Sequence, residues 1–533
     1  MLKRDAYDAH PGDRAMTSRS RTADPSPLCA PAYVSDAPTP ESMRVFPLIL
    51  ALLFLLLLPI LFPPAYAAAA PPASAPAQAY MPFPALIDLR TTFSDGEYDP
   101  DTLVQMALSR GFEIVFFNDH DRVALEYGLP PFRNWLKIRK ELNSINVAGA
   151  DRYLRTLKGL RKVHPQTVLI PGTESTPFYF WTGSPLAGTL TANDPERRIL
   201  TMGLEKREDY ETLPVLHNRP YGIQLRDKLP ALVAFGLAFL IGLYLLLHGG
   251  VWRLAGIIFA LLGAGLFGNT LCARPSPFDA YHGRQGAAPY QLFIDAVNQK
   301  GGLTFWNYPE TRSGIRPLRP IHVKTPPYPD MLLETKNYTG FAALYGDTIT
   351  ITEPGNVWDI VLKEYCSGFR FRPPWGIATA DFHKEGGAGQ KLGDFQTVLW
   401  LKEKSPRSVL DALKAGRMYA CQGRYPEMPR LDEFSVTGAD GGAPPRAISG
   451  EELSLPRNPR IRIRLSGGEE GKHEVQVRLI RSGTLIQTFV GTLPLDIDYV
   501  DEWEAPGERI YYRMDMNGHG KIVSNPIFVT CAP

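Results

Sequence analysis

Two long apolar runs, separated by only three residues, constrain the fold of this 533-residue chain more than any other feature. They occupy residues 230–247 and 251–271, and Arg253 is the only charged residue in either run. Each run is about as long as a helix needs to cross the hydrocarbon core of a bilayer. His248-Gly249-Gly250 leaves room only for a tight turn, so the sequence predicts a transmembrane hairpin over residues 229–272. The alternative is a helical hairpin buried in a soluble core, which two adjacent and nearly uncharged runs disfavour.

A hairpin returns the chain to the side of the membrane that it left. The segments before residue 229 and after residue 272 therefore share a compartment and can fold together. Small residues recur every four positions in the second run, at Ala260, Ala264 and Gly268. This spacing predicts that the two helices pack closely against each other.

A third apolar run covers residues 45–62 and precedes Ala65-Tyr66-Ala67, a small-residue pattern typical of signal-peptide cleavage. We interpret residues 43–70 as a signal peptide, with an uncleaved anchor helix as the alternative. Residues 1–42 are polar and aperiodic, and we interpret them as a disordered or misassigned extension. Export places the soluble parts on the extracytoplasmic side of the cytoplasmic membrane. The positive-inside rule favours the opposite side, because basic residues flank the hairpin at Arg219, Arg226, Lys228 and Arg274.

The composition excludes several classes of protein. Basic and acidic residues nearly balance, 57 against 55, so nothing indicates a nucleic-acid partner. The five cysteines include no CxxC pair, which disfavours a structural zinc site and a disulfide framework. A single disulfide among Cys366, Cys421 and Cys531 stays open as an alternative.

Short apolar runs alternate with amphipathic stretches from residue 81 onward. The predicted strands cover residues 113–117, 167–170, 200–203, 303–306, 341–345 and 376–378, and the predicted helices cover 101–110, 150–163, 290–300 and 406–415. This alternation is typical of a parallel α/β barrel or sheet, in which chemistry gathers at the C-terminal ends of the strands. After about residue 428 the apolar period changes to two, as at Ile461, Ile463 and Leu465. That pattern predicts a small all-β sandwich over residues 425–533.

Acidic and imidazole side chains follow several of the predicted strands. The residues at these strand ends are Asp88, Asp95, His120, Glu174, Asp381 and His383. Taken singly, each is more typical of a helix cap, a salt bridge or a surface residue than of a metal ligand. Together they provide oxygen and nitrogen donors that suit a divalent transition metal such as zinc, manganese or iron.

The segments that carry these residues resemble the ordered motifs of the PHP (polymerase and histidinol phosphatase) superfamily. They are TTFSDG (91–96), GFEIVFFNDHD (111–121), LIPGTE (169–174), GGLTFWNYPE (301–310) and ATADFH (378–383). Residues 405–420 and 511–529 resemble its CehA/McbA-like branch. The resemblance implies a distorted (βα)7 barrel, built from residues 81–228 and 273–424 and interrupted by the hairpin, with one or more metal ions at the strand ends.

The resemblance also implies residue roles. Asp95, His120, Glu174, Asp381 and His383 match the family's ligands, whereas the two histidines of its first motif are replaced here by Asp88 and Arg90, and the histidine of its fourth motif by Tyr308. An aspartate can ligate a metal, but a guanidinium has no lone pair to donate. His217 is a possible substitute ligand, although a structural role is more typical of it.

These replacements divide the expected metal site into two parts. Asp95, His120 and His383 remain as a subsite for one cation with an open position for water. The other part, with Asp88, Glu174 and Asp381, receives a fixed positive charge from Arg90. We therefore predict that Arg90 pairs with Glu174 or Asp381 and neutralises carboxylates that lack their cation.

Two functional classes follow. The first is a membrane-anchored metal-dependent hydrolase acting on a small-molecule phosphoester or a related ester or amide. In this class Asp381 or Glu174 acts as the base, and Arg90 stabilises negative charge on the reacting oxygen. The second is a catalytically inactive scaffold or binding protein at the membrane, which the lost ligand positions favour. In both classes the hairpin contacts the lipid bilayer.

Overall fold

The computed structural model describes residues 79–218, 225–273, 276–312, 314–347, 349–387, 390–438, 446–468 and 473–532. The predictions for residues 1–42 and 43–70 lie outside the described residues, as do Arg219 and Arg274. The two apolar runs, the strand-end residues and the C-terminal strands all lie within them.

The strands are β1 (Met81–Leu89), β2 (Ile114–Phe117), β3 (Ala124–Gly128), β4 (Lys137–Glu141), β5 (Val168–Ser175), β6 (Phe180–Thr182), β7 (Thr191–Asn193), β8 (Arg198–Met202), β9 (Leu303–Asn307), β10 (Gly314–Leu318), β11 (Ile321–Thr325), β12 (Gly340–Leu344), β13 (Trp375–Ala378), β14 (Phe395–Leu401), β15 (Met418–Gln422), β16 (Arg430–Gly438), β17 (Arg446–Ile448), β18 (Glu452–Leu455), β19 (Pro459–Ser466), β20 (Glu474–Arg481), β21 (Thr484–Thr492), β22 (Leu495–Val500), β23 (Arg509–Gly518), β24 (Gly520–Ser524) and β25 (Ile527–Cys531). The α-helices are α1 (Pro100–Ser109), α2 (Ile145–Ala148), α3 (Ala150–Val163), α4 (Arg207–Glu211), α5 (Leu225–His248), α6 (Arg253–Cys272), α7 (Ala288–Gln299), α8 (Met331–Glu334), α9 (Val357–Cys366) and α10 (Pro406–Ala415).

The helix boundaries follow from capping residues in the sequence. Helix α1 begins after Asp99, whose side chain accepts hydrogen bonds from the backbone N–H groups of Asp101 and Thr102. Helix α10 begins after Ser405 in the same way and ends at Gly416, which has the left-handed φ of 74° that favours glycine. The predicted helices 150–163 and 406–415 are confirmed at both ends.

Fifteen of the described strands form one large mixed sheet that curls into a half-barrel. Its order is β13-β12-β9-β8-β5-β2-β1-β14-β15-β24-β23-β20-β21, with β25 beside β23 and β18 beside β25. β1, β2 and β5 are parallel, and so are β9, β12 and β13. The prediction of a mixed α/β fold is confirmed, but the seven-fold (βα) barrel is not.

The departure from a parallel barrel has a local cause. β8 runs antiparallel to both of its neighbours, β5 and β9, and β14 runs antiparallel to β1. Between β5 and β8 the chain forms only the short strands β6 and β7, without the crossover helix that a parallel neighbour requires. The segment after β13 then returns to β1, where the N–H of Phe382 donates to the carbonyl of Asp88 (3.1 Å). This contact places the segment that carries Asp381 and His383 beside the end of β1.

The two apolar runs form α5 and α6, which pack against each other as a hairpin. Both helices are long and apolar enough to cross a membrane by length and composition, with 11% and 17% of their most apolar segments buried. Gly256, Ala260 and Gly263 face α5, and a Cβ on Gly263 would lie 2.5 Å from the backbone nitrogen of Phe239. The predicted stripe is therefore right only at Ala260, because Ala264 is exposed and Gly268 contacts a different part of the chain.

The C-terminal strands enclose a second hydrophobic core. Strands β17-β16-β19-β22 form one sheet, and the other strands of this region continue the large sheet through the pairing of β15 with β24. A fully buried ion pair also crosses the predicted boundary, with Arg513 Nη2 2.6 Å from Asp359 Oδ2. The described cysteines Cys366, Cys421 and Cys531 are free thiols, so the alternative of a disulfide among them is wrong.

Candidate functional site

The strand-end residues predicted from the sequence converge at one edge of the half-barrel. Asp88 lies in β1 and Arg90 directly follows it, whereas Glu174 lies in β5. His120 follows β2. Because β1, β2 and β5 are parallel, their C-terminal ends lie at the same edge. The segment after β13 brings Asp381 and His383 to this edge.

An inner cluster of buried residues surrounds the guanidinium of Arg90. Arg90 Nη2 lies 2.9 Å from Asp88 Oδ1 and 2.7 Å from Glu174 Oε2, and these three side chains have no exposed surface. Arg90 Nη1 donates to the backbone carbonyl of Asn118. The predicted pairing of Arg90 with Glu174 is therefore present, and Asp88 is a second partner.

Asn307 completes the inner cluster. Its Nδ2 donates to Asp88 Oδ2 (2.9 Å) and to Glu174 Oε1 (2.7 Å), while the hydroxyl of Thr379 donates to its Oδ1 (3.2 Å). The last contact fixes the orientation of the amide. The hydroxyl of Tyr308 also donates to Asp88 Oδ2. Tyr308 therefore serves as a hydrogen-bond donor to an inner carboxylate.

Sequence reasoning missed Arg198 altogether. It lies at the start of β8, and its Nη1 is 2.8 Å from Glu174 Oε2. The side chain is 22% exposed, so it reaches from the inner cluster towards solvent. No motif contains Arg198, and its contact with Glu174 depends on the antiparallel placement of β8 beside β5.

An outer cluster of Asp95, His120 and His383 lies beside the inner one. The Nε2 atoms of both histidines face the same carboxylate oxygen, Asp95 Oδ2, at 3.4 Å from His120 and 3.2 Å from His383. Nδ1 of His383 is hydrogen-bonded to the carbonyl of Asp381 (2.7 Å), and Nδ1 of His120 lies 3.4 Å from Glu174 Oε2. Asp95 is half exposed, so the outer cluster opens to solvent.

Asp381 lies between the two clusters. Its Oδ1 is 3.6 Å from Arg90 Nη2 and 3.7 Å from His383 Nδ1, and 43% of the side chain is exposed. Among the predicted residues of the inner region it is the one whose carboxylate reaches solvent, whereas Asp88 and Glu174 are fully buried.

The two acids that flank His120 hold the loops in place. Asp119 is buried and accepts hydrogen bonds from the backbone N–H of Thr91 (2.8 Å) and the hydroxyl of Ser94 (2.6 Å), which orders the turn that carries Asp95. Asp121 accepts from Asn218 Nδ2 (3.1 Å) on the other side of the loop. Only the histidine of this DHD motif therefore points into the site.

Three site residues have a strained backbone. Asp88, Tyr308 and Asp381 have φ angles of 71°, 49° and 45°, in the left-handed region that residues with a Cβ rarely adopt. Each such residue costs roughly 1–3 kcal/mol and persists where the surrounding contacts determine its conformation. Strain of this kind clusters at functional sites, and here all three residues adjoin the inner cluster.

Burial and nearby charges shift the pKa values of the two inner acids, Asp88 and Glu174, in opposite directions. Burial raises the pKa of Asp88 to about 7, although the nearby Arg90 opposes this shift. Burial also acts to raise the pKa of Glu174, but the charges of Arg198 and Arg90 outweigh it and lower that pKa to about 2. The inner cluster therefore holds Glu174 ionised and leaves Asp88 near its titration point at neutral pH.

The outer cluster is polarised as an ion pair. Burial acts to raise the pKa of Asp95, but hydrogen bonds with His120 and His383 hold it well below its usual range. Burial acts to lower the pKa of His383, but the hydrogen bond with Asp95 and the charge of Asp381 raise it to about 9. In the metal-free protein His383 therefore carries a proton at neutral pH.

The two clusters differ in how they fit a metal ion. In the inner cluster the guanidinium of Arg90 occupies the space between the carboxylates of Asp88 and Glu174, so a cation there does not fit. Within the described residues, no group of three or more His, Cys, Asp or Glu side chains is placed so that it could hold a metal ion. The outer cluster nevertheless offers the appropriate donors, since two imidazole nitrogens face one carboxylate oxygen.

A cleft of about 720 Å³ opens beside the outer cluster. Asp95 and His120 line it together with Arg122, Arg198 and Arg316. A second cavity of about 380 Å³ is lined by Asp381 and Tyr308 and shares Arg198 and Arg316 with the cleft. Each of these arginines is paired with a glutamate: Arg122 with Glu141, Arg198 with Glu174 and Arg316 with Glu196.

The suggested substitute ligand, His217, lies elsewhere. Its Nε2 is 2.8 Å from the hydroxyl of Tyr179, and its Nδ1 is 4.0 Å from Glu126. It lines a separate cavity of about 310 Å³ and has a structural role there.

Comparisons with known proteins give weak likenesses. No model of a known protein family matches the sequence, and no curated protein matches it. Among solved structures, the chain is similar to a two-domain protein from Bacteroides vulgatus containing a predicted PHP-like metal-dependent phosphoesterase. The two share 11% sequence identity with a TM-score of 0.34, over 85% of this chain and 93% of the other.

A second solved structure is a candidate metal-dependent phosphoesterase from Bifidobacterium adolescentis. It shares 14% identity with a TM-score of 0.27, over 63% of this chain and 96% of the other. Neither likeness is close enough to transfer a function to this chain.

Proposed function

We propose that the chain is a metal-dependent hydrolase of the PHP superfamily, in its CehA/McbA-like branch, acting on a small-molecule phosphoester or a related ester. The observation that supports it best is the outer cluster, where His120 and His383 direct Nε2 at one oxygen of Asp95. Nδ1 of His383 has a backbone carbonyl as its acceptor, as is usual for histidines that ligate metals, and Nδ1 of His120 faces the carboxylate of Glu174 at 3.4 Å.

The distances in the outer cluster suit one cation. In a tetrahedral site with metal–ligand distances of about 2.0–2.1 Å, neighbouring ligand atoms lie about 3.3–3.4 Å apart. The distances from Asp95 Oδ2 to Nε2 of His120 and of His383, 3.4 Å and 3.2 Å, are compatible with such ligand pairs. Asp95, His120 and His383 would hold zinc, manganese or iron, with Glu174 and the carbonyl of Asp381 orienting the imidazoles.

The chain's own residues divide the remaining tasks. If bound by Asp95, His120 and His383, a divalent ion would supply Lewis acidity and would lower the pKa of a bound water molecule. Asp381 is the exposed carboxylate beside this position and serves as the base. Arg198 and Arg316 line both cavities and bind the anionic part of the substrate.

Arg90 and Glu174 were also predicted to be catalytic, but neither has an exposed side chain. We propose that they act through their neighbours. Glu174 orients the imidazole of His120, and Arg90 neutralises Asp88 and Glu174 in the position where a second cation is otherwise expected.

We also propose that α5 and α6 anchor the protein in the cytoplasmic membrane, with the soluble parts on the extracytoplasmic side. The length and apolar composition of the two helices support the anchor. The apolar run over 45–62 and the cleavage pattern after it support the extracytoplasmic placement of the soluble parts.

The hydrolase proposal is tested on the full chain purified in detergent. The protein is stripped with a chelator, reloaded with zinc, manganese or ferrous iron, and assayed with p-nitrophenyl phosphate and bis(p-nitrophenyl) phosphate. We expect metal-dependent hydrolysis that His383→Ala abolishes. The matched control is His164→Ala, which removes a histidine paired with Asp101 away from the site and should retain activity.

A catalytically inactive scaffold at the membrane is the second candidate. The buried guanidinium of Arg90 favours it, because this fixed charge satisfies two carboxylates without any metal. Absence of hydrolysis with all three metals and both substrates would overturn the hydrolase proposal in favour of this one.

A further inference from the structure

The loop between β3 and β4, residues 129–136, lies against the end of helix α6. We call it the tip loop. The backbone N–H of Asn134 donates to Asn269 Oδ1 (2.8 Å), and Asn134 Nδ2 donates to the carbonyl of Asn269 (3.0 Å). Trp135 Nε1 donates to Cys272 Sγ (3.0 Å). Polar groups near the end of an otherwise apolar helix are thereby satisfied by the tip loop.

Two glycines of α6 make this contact possible. A Cβ on Gly268 would lie 2.2 Å from Cζ2 of Trp135, and a Cβ on Gly265 would lie 2.6 Å from Cε1 of Phe132. Phe132 and Trp135 also stack on each other, with ring centroids 6.5 Å apart. Two aromatic rings therefore rest on a surface of α6 that has no side chains.

The tip loop exposes apolar surface in spite of these contacts. Leu129, Trp135 and Leu136 are 46%, 50% and 54% exposed. This surface is continuous with the exposed apolar faces of α5 and α6, because Trp135 bridges the loop and α6. Exposed apolar groups that adjoin each other in this way mark an interaction surface.

The position of the loop along α6 indicates what covers it. Gly265 lies seven residues before Cys272, the last residue of α6. At 1.5 Å per residue this is about 10 Å from the domain end of the helix. Interfacial elements lie about 5–10 Å deep at the boundary between headgroups and acyl chains. Tryptophan is enriched at this level.

We propose that the tip loop is a second membrane-contacting element and lies in the interfacial region of the leaflet nearest the domain. The proposal rests on the membrane placement of α5 and α6 and is independent of the hydrolase chemistry. Arg133 of the loop stacks over Tyr281 at 4.0 Å, and Lys137, the first residue after the loop, pairs with Glu126 at 3.1 Å.

The tip loop also relates the membrane to the candidate site. The cavity of about 310 Å³ beside it is lined by Arg133, Asn134 and Ala273. Tyr179, Val215 and Leu216 line both this cavity and the 720 Å³ cleft of the candidate site. A loop seated in the interface therefore holds the side of the domain that carries the cleft close to the headgroups.

The test is a depth measurement on the full chain in phosphatidylcholine and phosphatidylglycerol vesicles. Cys29, Cys272 and Cys366 are replaced by serine, and single spin labels are placed at Leu136, at Leu240 in the middle of α5 and at Leu186, which is 99% exposed on the domain. Accessibility to oxygen and to a nickel chelate is then compared. We expect the Leu136 label to be intermediate between the lipid-exposed Leu240 label and the aqueous Leu186 label.

The other outcomes are distinct. A Leu136 label as accessible to nickel as the Leu186 label, with Leu240 in lipid, overturns the tip-loop proposal and leaves the anchor intact. A Leu240 label that is also aqueous overturns both. Spin–spin broadening at Leu136 that disappears on dilution with unlabelled chain assigns the surface to a second copy and overturns the proposal.

A pair of variants tests whether the contact of the tip loop with α6 sets the depth of the loop. Gly268→Leu places a side chain where Trp135 lies and should move the Leu136 label towards water. Ala264→Leu, at an exposed position of the same helix, is the matched control and should leave the depth unchanged. A Leu136 label whose depth is the same in Gly268→Leu contradicts the proposal.

Discussion

In the described structure, Arg90 is the one cation between the two buried carboxylates of the inner cluster. The substitution Arg90→Met removes this cation. Methionine keeps much of the length and volume of the side chain but cannot neutralise Asp88 and Glu174. Removal of one partner from a buried ion pair destabilises a protein by about 3–5 kcal/mol, since it leaves an uncompensated charge. We expect the free energy of unfolding to fall by that amount at pH 8.

The loss should depend on pH in a defined direction. The folded-state pKa of Asp88 is raised from 3.8 to about 7, so the folded protein binds this proton more tightly than the unfolded chain does. The penalty for its buried charge therefore grows as the pH rises from about 4 to 7 and is complete above pH 7. Without Arg90 the pKa values of both carboxyls rise further. The destabilisation by Arg90→Met should then be smaller at pH 5, where the carboxyls take up protons.

Denaturant unfolding in detergent, followed by tryptophan fluorescence, measures these differences. The double variant Arg90→Met/Glu174→Gln should be more stable than Arg90→Met alone, because the second change removes one of the unpaired charges. Arg155→Met, which breaks an exposed pair with Asp151, is the control and should change stability by less than about 1 kcal/mol. If Arg90→Met loses less than about 1 kcal/mol at pH 8, or loses as much at pH 5 as at pH 8, then Arg90 does not neutralise the two buried carboxylates.

Four further outcomes follow from the structure. Arg513→Met should lower the free energy of unfolding by about 3–5 kcal/mol, because it leaves the buried carboxylate of Asp359 without its ion-pair partner. A denaturation midpoint equal to that of the wild type would contradict this. Arg198→Ala should raise KM for a phosphoester about tenfold, equivalent to about 1.4 kcal/mol, and steady-state kinetics with an unchanged KM would exclude Arg198 from substrate binding. Metal affinity should rise about tenfold per pH unit from pH 6.5 to 9, because the pKa of His383 is raised to about 9 and metal binding must release its proton. Chelator competition at several pH values measures the affinity. An affinity that does not change with pH would exclude His383 as a ligand. Arg90→His should raise the metal stoichiometry by one, as plasma mass spectrometry would show, whereas an unchanged stoichiometry would mean that the guanidinium does not take the place of a cation.

The positions of the site residues could be predicted because they depend on local signals. They lie within short apolar strands or a few residues after them, and the ends of parallel strands meet at one edge of a sheet. The pairing of Arg90 was also predictable, since a guanidinium among carboxylates has to find a partner. The ligand roles of Asp95, His120 and His383 stay predictions.

Features that depend on strand direction and distant contacts could not be predicted. A buried apolar run looks the same in a parallel and in an antiparallel strand, so the direction of β8, and with it the contact of Arg198 with Glu174, had no local signal. Gly268 fits a helix–helix stripe by its spacing alone, yet its partner is Trp135, which is far away in the sequence. Left-handed backbone at Asp88 is likewise set by surrounding contacts.

Metal content of the purified full chain tests most directly whether the outer cluster binds a cation despite the buried guanidinium beside it. The protein is purified without chelators, offered zinc, manganese and ferrous iron, and measured by plasma mass spectrometry beside the His120→Ala/His383→Ala variant. We predict about one equivalent of a transition metal in the wild type and none in the variant. No bound metal in either protein, or an equal amount in both, would contradict it.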